Sequence, residues 1–418
     1  MIFRFCLYGF LKNQRYFEPF FMLALLAQNL DFLTIGILYA VRSLTINLLE
    51  IPSGALADGF GRRNTMIGSL VAYIVSFLTF AWAPHPSYLF AAMVLYGIGD
   101  SFRTGTHKAM IFEWLRLQGR ADERTKIYGI TRSWSKFGSA LSAILAAVCL
   151  LLGGDFRSVF LLATLPYIAN VINLIGYPAE LDGMVYRESF RSTLREVARN
   201  LRKTLSDAWK TASLRRLMAE SMAWEGVFGA IKDYLQPVLV AVMVARFLPR
   251  STDGSATVSL EASMTNPSVV ALIAGVYTVL FFASGWASRL SHRIVSWCGS
   301  QDAAAHWLWK FNLSLFVALL VADLVGGVIV VALCFVLLSV LQNAWRPILI
   351  SRFDDHGAAS QGATVLSIES QAQRLATFAI APLAGWSVDV VAHRHWPGEF
   401  WPLALVGGLA AAFALRLR

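Results

Sequence analysis

Between Gly97 and Met110 the chain reads GIGDSFRTGTHKAM, placing Asp100, Arg103, His107 and Lys108 inside an otherwise apolar run. Residues three apart share one helix face, so Asp100 and Arg103 can pair with each other, hold a charged ligand, or pass a proton. His107 adds a possible proton relay. The habit recurs along the chain with Arg15 and Glu18, Arg42, Arg132 and Lys136, and Lys232 and Asp233 with Glu225 deeper. It continues with Arg346, Glu369 and Arg374. Structural ion pairing, such as Asp100–Arg103 or Arg15–Glu18, is the plain reading for any one of them. It explains the set less well, because the basic members outnumber the acidic ones. An excess of Arg and Lys favours a ligand with negative charge, since guanidinium forks match carboxylate or phosphate.

What surrounds these charges follows from composition. The 418 residues are 56% hydrophobic and 15% charged, with a mean hydropathy of +0.56. Soluble chains are about 45–50% apolar and ~25% charged, so too few polar residues are present to cover soluble domains of this size. A membrane solvent is implied. Apolar stretches near ~20 residues span its hydrocarbon, and about twelve can be read, including 5–27, 87–115, 216–246, 324–350 and 362–384. Ionisable groups at such depth are costly unless they face a wet cavity or a partner. The first twenty residues show no cleavable signal pattern. Cys6, Cys149, Cys298 and Cys334 lie in separate segments, which suits neither a disulfide framework nor a metal site.

Basic residues set the orientation. With both termini cytoplasmic, the inner connections hold Arg62, Arg63, Arg116, Arg120, Arg124 and Lys126, and the outer ones hold few. The net charge of +10 therefore reads as membrane topology, and no folded basic surface suggests nucleic acid. Residues 181–215 carry a basic amphipathic helix, expected on the inner leaflet against anionic lipid. It separates an N-terminal bundle, 1–180, from a C-terminal bundle, 216–418. RYFEPFFMLAL from Arg15 and DYLQPVLVAVM from Asp233 echo each other, matching Tyr16 with Tyr234 and Pro19 with Pro237. A weaker echo pairs Gly54, Asp58 and Arg62 with Gly285, Arg289 and Arg293. Duplicated halves are a common transporter plan.

The loop GALADGFGRR, Gly54 to Arg63, resembles the signature G-x-x-x-D-[RK]-x-G-[RK]-[RK] of the major facilitator superfamily. Gly54, Asp58, Gly61, Arg62 and Arg63 match, while Gly59 replaces the usual basic residue. The resemblance implies an all-α integral membrane fold of twelve transmembrane helices in two pseudo-symmetric six-helix bundles. It also implies that the loop is a conformational latch on the inner side, with Glu113 as a partner for Arg62, and that the first, fourth, seventh and tenth helices line the transport path. The antiporter signature with a Gly-Pro pair is missing from the fifth span.

These readings converge on a secondary active transporter, not an enzyme, moving a small polar solute, anionic or zwitterionic, across the cytoplasmic membrane by alternating access. Protons are the expected coupling ion, with Glu18 and Asp100 the first coupling carboxylates and Asp233 and Glu369 behind them. The expected pathway residues are Arg15, Glu18, Asp100, Arg103, His107, Lys136, Lys232, Asp233, Arg346, Glu369 and Arg374. No cofactor or metal is expected, membrane lipids are the surroundings, and the chain is expected to work as a monomer. The alternatives are a multidrug/proton efflux transporter and, lower, a membrane-embedded transferase.

Overall fold

The computed structural model describes residues 1–103, 105–182, 199, 211–247, 266–356 and 362–417. The basic linker helix, the outer loop from Arg250 and the side chain of Asp58 lie outside what it describes. Every regular element among the described residues is helical. Among the described residues nine stretches are long and apolar enough to cross a membrane, including Arg62–Trp82, Lys126–Leu151, Ala212–Ala245 and Val328–Phe353. The remaining three expected spans are interrupted or short. They are Ile2–Leu26, Pro86–Leu117 and Trp401–Arg416. Large apolar side chains such as Trp297, Trp286, Leu409 and Ile172 stay exposed, an outer face suited to lipid rather than water. All four cysteines are free.

Contacts gather the chain into two compact units: Met1–Pro19 with Val41–Asn200, and Phe20–Ala40 with Leu201–Arg418. In the first unit α1 (Ile2–Lys12) packs on α7 (Arg124–Leu151), and α4 (Arg62–Trp82) packs on α5 (Pro86–Arg103) and α8 (Phe156–Ile175). Small residues let these helices approach, as is usual where lipid removes the hydrophobic drive. A Cβ on Gly97 would strike Thr45 of α3 (Phe32–Phe60), and one on Gly99 would strike Tyr73. Ser69 and Ser76 on α4 donate to the carbonyls of Gly99 and Ala92, at 2.7 and 2.8 Å.

The first span does not run through. Helix α1 ends at Lys12, Asn13–Phe17 is non-helical, a 3₁₀ turn covers Glu18–Phe20, and α2 (Phe21–Leu26) follows. Pro19 supplies a cause, because it lacks an N–H and pushes its predecessor out of the α region. The matching stretch of the second half repeats the device. A 3₁₀ turn at Lys232–Tyr234 precedes α11 (Leu235–Phe247), with Pro237 in its first turn. The span expected to run unbroken from 87 to 115 is also divided. It bends at Gly105, whose φ of 82° lies in the left-handed region, between α5 and α6 (Thr106–Leu117).

The second unit places α9 (Ala212–Ser221), a π turn at Met222–Gly226 and α10 (Val227–Ile231) in one span with α11. It continues with α12 (Pro267–Cys298), α13 (Gln301–Leu324), α14 (Val328–His356), α15 (Gly362–His393) and α16 (Trp401–Arg416). Trp224, Trp309 and Trp345 form its aromatic centre, with Trp224 and Trp345 stacked at 4.4 Å. At one end Asp389 accepts from the backbone N–H groups of Phe32 and Leu33, at 3.1 and 2.7 Å. That carboxylate satisfies donors that a helix start leaves orphaned.

Candidate functional site

The two interruptions in the first unit build a cavity. Lys12 and Asn13 line it from the end of α1, Arg103 and Gly105 from the α5–α6 bend, and His107 and Lys108 from the first turn of α6. Arg132, Ser135, Lys136 and Ser139 line it from α7. Its volume of ≈ 460 Å³ falls in the ~300–1,000 Å³ range of small-molecule sites. Six of the lining side chains are basic types and none is a carboxylate. The start of α6 has no side-chain cap, and the positive end of its dipole adds to the same sign of field. Tyr8, Tyr128 and Thr131 complete the wall.

Asp100 holds the adjoining charges. Arg103 reaches it at 2.9 Å and Arg15 at 3.7 Å, and the Tyr73 hydroxyl donates to it. Arg15 also donates to Tyr167 at 3.2 Å and lies over the rings of Tyr73 and Tyr96. Tyr167 in turn donates to the last carbonyl of α1, Lys12 O, at 2.8 Å. The spacing of Asp100 and Arg103 therefore does produce a pair, and Arg103 also faces the cavity. Arg15 meets Asp100 rather than forming a helical pair with Glu18, because the chain around Arg15 is not helical. His107 stacks on Tyr8 at 3.8 Å and sits 3.4 Å from the Tyr177 hydroxyl. Lys12, Lys108 and Arg132 were not among the expected pathway residues, yet they line the same wall as Lys136.

In the second unit three helical segments each contribute a pair of polar residues four apart. Ser221 and Glu225 come from the α9 end and π turn, Gln342 and Arg346 from α14, and Glu369 and Gln373 from α15. Arg346 grips Glu369 with both arms at 2.6 and 2.9 Å, and Ser221 donates to the same carboxylate. Gln342 donates to Glu225 Oε2 at 3.0 Å, while Glu225 Oε1 is buried with no hydrogen-bond partner. Arg346 stands 3.9 Å from that oxygen. Arg346 and Glu369 were expected in the pathway and do meet. Ser221, Gln342 and Gln373 carried no sequence signal, since neutral polar residues are ordinary in such helices. Lys232 lies 3.8 Å from its neighbour Asp233 on the 3₁₀ turn. Arg374 is half-buried on α15.

Two further arrangements lie nearer the helix ends. Arg352 is buried on α14, bonded to the fully buried Glu220 at 2.6 Å and to Asp302 at 2.8 Å. In the Gly54–Arg63 loop, Gly61 has φ 87° at the start of α4, and Arg63 donates its backbone N–H to Asp182 at 2.6 Å. Glu113, the expected partner of Arg62, pairs with Arg116 at 2.5 Å. Gly54 is exposed and a Cβ there would meet open space. Among the described residues no three of His, Cys, Asp and Glu gather as metal ligands.

Polar sites built on broken helices inside two helical units invite comparison with known transporters. The family model of the Major Facilitator Superfamily matches residues 5–368. The chain belongs to this superfamily. Members of this superfamily are multi-pass membrane transporters, and the long apolar helices described above fit that plan. Curated relatives include the uncharacterized MFS-type transporter YxaM of Bacillus subtilis, 29% identical over 90 residues covering 22% of this chain and 23% of that one. The multidrug resistance protein MdtH of Aeromonas hydrophila is 28% identical over 160 residues, covering 38% and 37%. The matches thus span well under half the length of these relatives. A mutant of the nucleoside transporter NupG superposes with a TM-score of 0.71 at 10% identity over 99% and 98% of the two chains. A D-xylose-proton symporter gives 0.67 at 16% over 99% and 96%. At such identities the likeness establishes the superfamily fold, all-α with twelve spans in two six-helix bundles, and nothing finer.

Proposed function

We propose that this superfamily member moves a small polar solute, anionic or zwitterionic, across the cytoplasmic membrane by alternating access, driven by protons. The observation that carries the reading is the cavity of the first unit, whose ionisable wall is basic and free of carboxylates. The Asp100 carboxylate, which Arg103 binds from the cavity wall, is already engaged by Arg103, Arg15 and Tyr73. An anion entering the cavity meets a wall whose ionisable side chains are all of basic type, whereas a lipophilic cation meets repulsion. The surroundings of Asp100 favour a fixed counter-ion over a coupling carboxylate, which leaves Glu18, Asp233 and the Glu369 cluster for coupling.

Within this reading Arg103, Lys136 and the cavity wall hold solute, the Gly54–Arg63 loop acts as the inner latch, and both termini face the cytoplasm. Kinship with a multidrug resistance protein makes lipophilic cations the competing substrates. A melting-temperature screen of the purified protein distinguishes them, using citrate, glycerol phosphate and glutamate against tetraphenylphosphonium. Stabilisation by the anions or the zwitterion supports the proposal. Stabilisation by tetraphenylphosphonium alone would end it.

A further inference from the structure

The polar layer of the second unit contains one carboxylate more than its cation can serve. Glu369 occupies both arms of Arg346 and also takes the Ser221 hydroxyl. Glu225 is left with one neutral donor, Gln342, on Oε2. Its side chain is 8% exposed, and Oε1 has no hydrogen-bond partner although Arg346 stands 3.9 Å away. An ionised carboxylate with one orphan oxygen in a buried layer is costly, because its lost hydration is not replaced. The backbone marks the same place. Glu225 lies in the π turn Met222–Gly226, and single π turns inside helices appear frequently at functional sites.

We infer that Glu225 is a proton-binding site, neutral with the proton on Oε1 in the arrangement seen here, and that the bidentate Arg346–Glu369 pair beside it stays charged. The groups facing it are Gln342 and Arg346 from α14 and Glu369 and Gln373 from α15. Helix α16, which packs on the same turn, has no ionisable residue from Trp401 to Leu415. Loading forms one O–H bond with a solvent proton, and unloading breaks it and returns that proton to solvent. No other reactant is needed. A sodium ion fits the site poorly. It would want several oxygen ligands, whereas Gln342 presents its amide N–H and Arg346 presents positive charge at 3.9 Å. The site's role as the coupling element rests on the proton-driven reading above, while the site itself does not.

The test needs no knowledge of the solute. Full-length protein in lipid nanodiscs is stepped from mildly acidic to alkaline pH while infrared difference spectra follow protonated carboxyl groups. The wild type is expected to show a carboxylic acid band that vanishes on alkalinisation. Glu225→Gln loses that band, and Glu225→Asp retains one at a shifted frequency, which keeps the assignment testable if the glutamine variant folds poorly. An undiminished band in Glu225→Gln, no titrating carboxyl in the wild type, or loss of the band on adding sodium at constant pH would each overturn the inference. If the band belongs to Glu225 but anion uptake into vesicles ignores a pH gradient, the coupling reading fails and the proton site stands.

Discussion

The two units bury opposite surpluses of charge. In the first, Arg15 and Arg103 share the single carboxylate Asp100, and further cations line the adjoining cavity. In the second, Glu225 and Glu369 share the single guanidinium Arg346. Both layers use one central group to hold two of the opposite sign. Surplus cations suit an anionic solute, and a surplus carboxylate suits a proton. The same physics, charge that low-dielectric surroundings will not tolerate unpaired, yields different ligands because the sign of the excess differs.

The contrast is broken most severely by removing either hub. Asp100→Asn leaves Arg15 and Arg103 without their counter-ion, and Arg346→Gln does the same to Glu369. Each should cost about 3–5 kcal/mol, measured as lost resistance to denaturant or as failure to purify folded protein. Near-wild-type stability in either variant refutes the hub assignment. Taking away a surplus cation behaves differently. Lys136→Gln should lower anion affinity about tenfold, ~1.4 kcal/mol, with little change in stability, as read by calorimetric titration beside unfolding curves.

Smaller effects sharpen the comparison at the helix starts. Asp155 caps α8 in the first unit and Asn266 caps α12 in the second. Replacing either by Ala should cost about 1 kcal/mol. Only the first is pH-dependent. The hydrogen bonds from Ser158 hold the Asp155 carboxyl below its ordinary value of 3.8, so its contribution is complete above that value and is lost as pH falls through the lowered one. Stability measured against pH should therefore show an acid-side penalty for Asp155→Ala that shrinks on acidification, and a flat one for Asn266→Ala. Smallest of all, Glu225→Gln should leave stability unchanged within ~1 kcal/mol, because it exchanges a neutral carboxyl for a neutral amide of nearly the same shape. A large loss in urea unfolding would show that Glu225 is an ionised structural group.

Much of this was legible in the sequence. The three-residue spacing of Asp100 and Arg103 foretold their pairing. The latch-like loop carried the superfamily. Other features depended on what helical periodicity assumes. Arg15 and Glu18 looked like a pair because i,i+3 neighbours meet only in a helix, and the chain unwinds at Asn13–Phe17. Lys12 falls inside the span read as 5–27 and was not singled out, yet that unwinding turns it into cavity wall. Arg352 and Glu220 are 132 residues apart, a separation no local pattern reports. Gln342 and Gln373 are neutral, so neither hydropathy nor charge singled them out.

The central claim is that solute and proton are divided between the two surpluses, and one paired measurement addresses it directly. Melting-temperature shifts produced by citrate and glycerol phosphate are compared in wild type, in the Arg132→Gln/Lys136→Gln double variant, and in Glu225→Gln at fixed pH. The account predicts that the anion-induced shift disappears in the double variant and persists in Glu225→Gln. Persistence of the shift in the double variant, with its loss in Glu225→Gln, would contradict it.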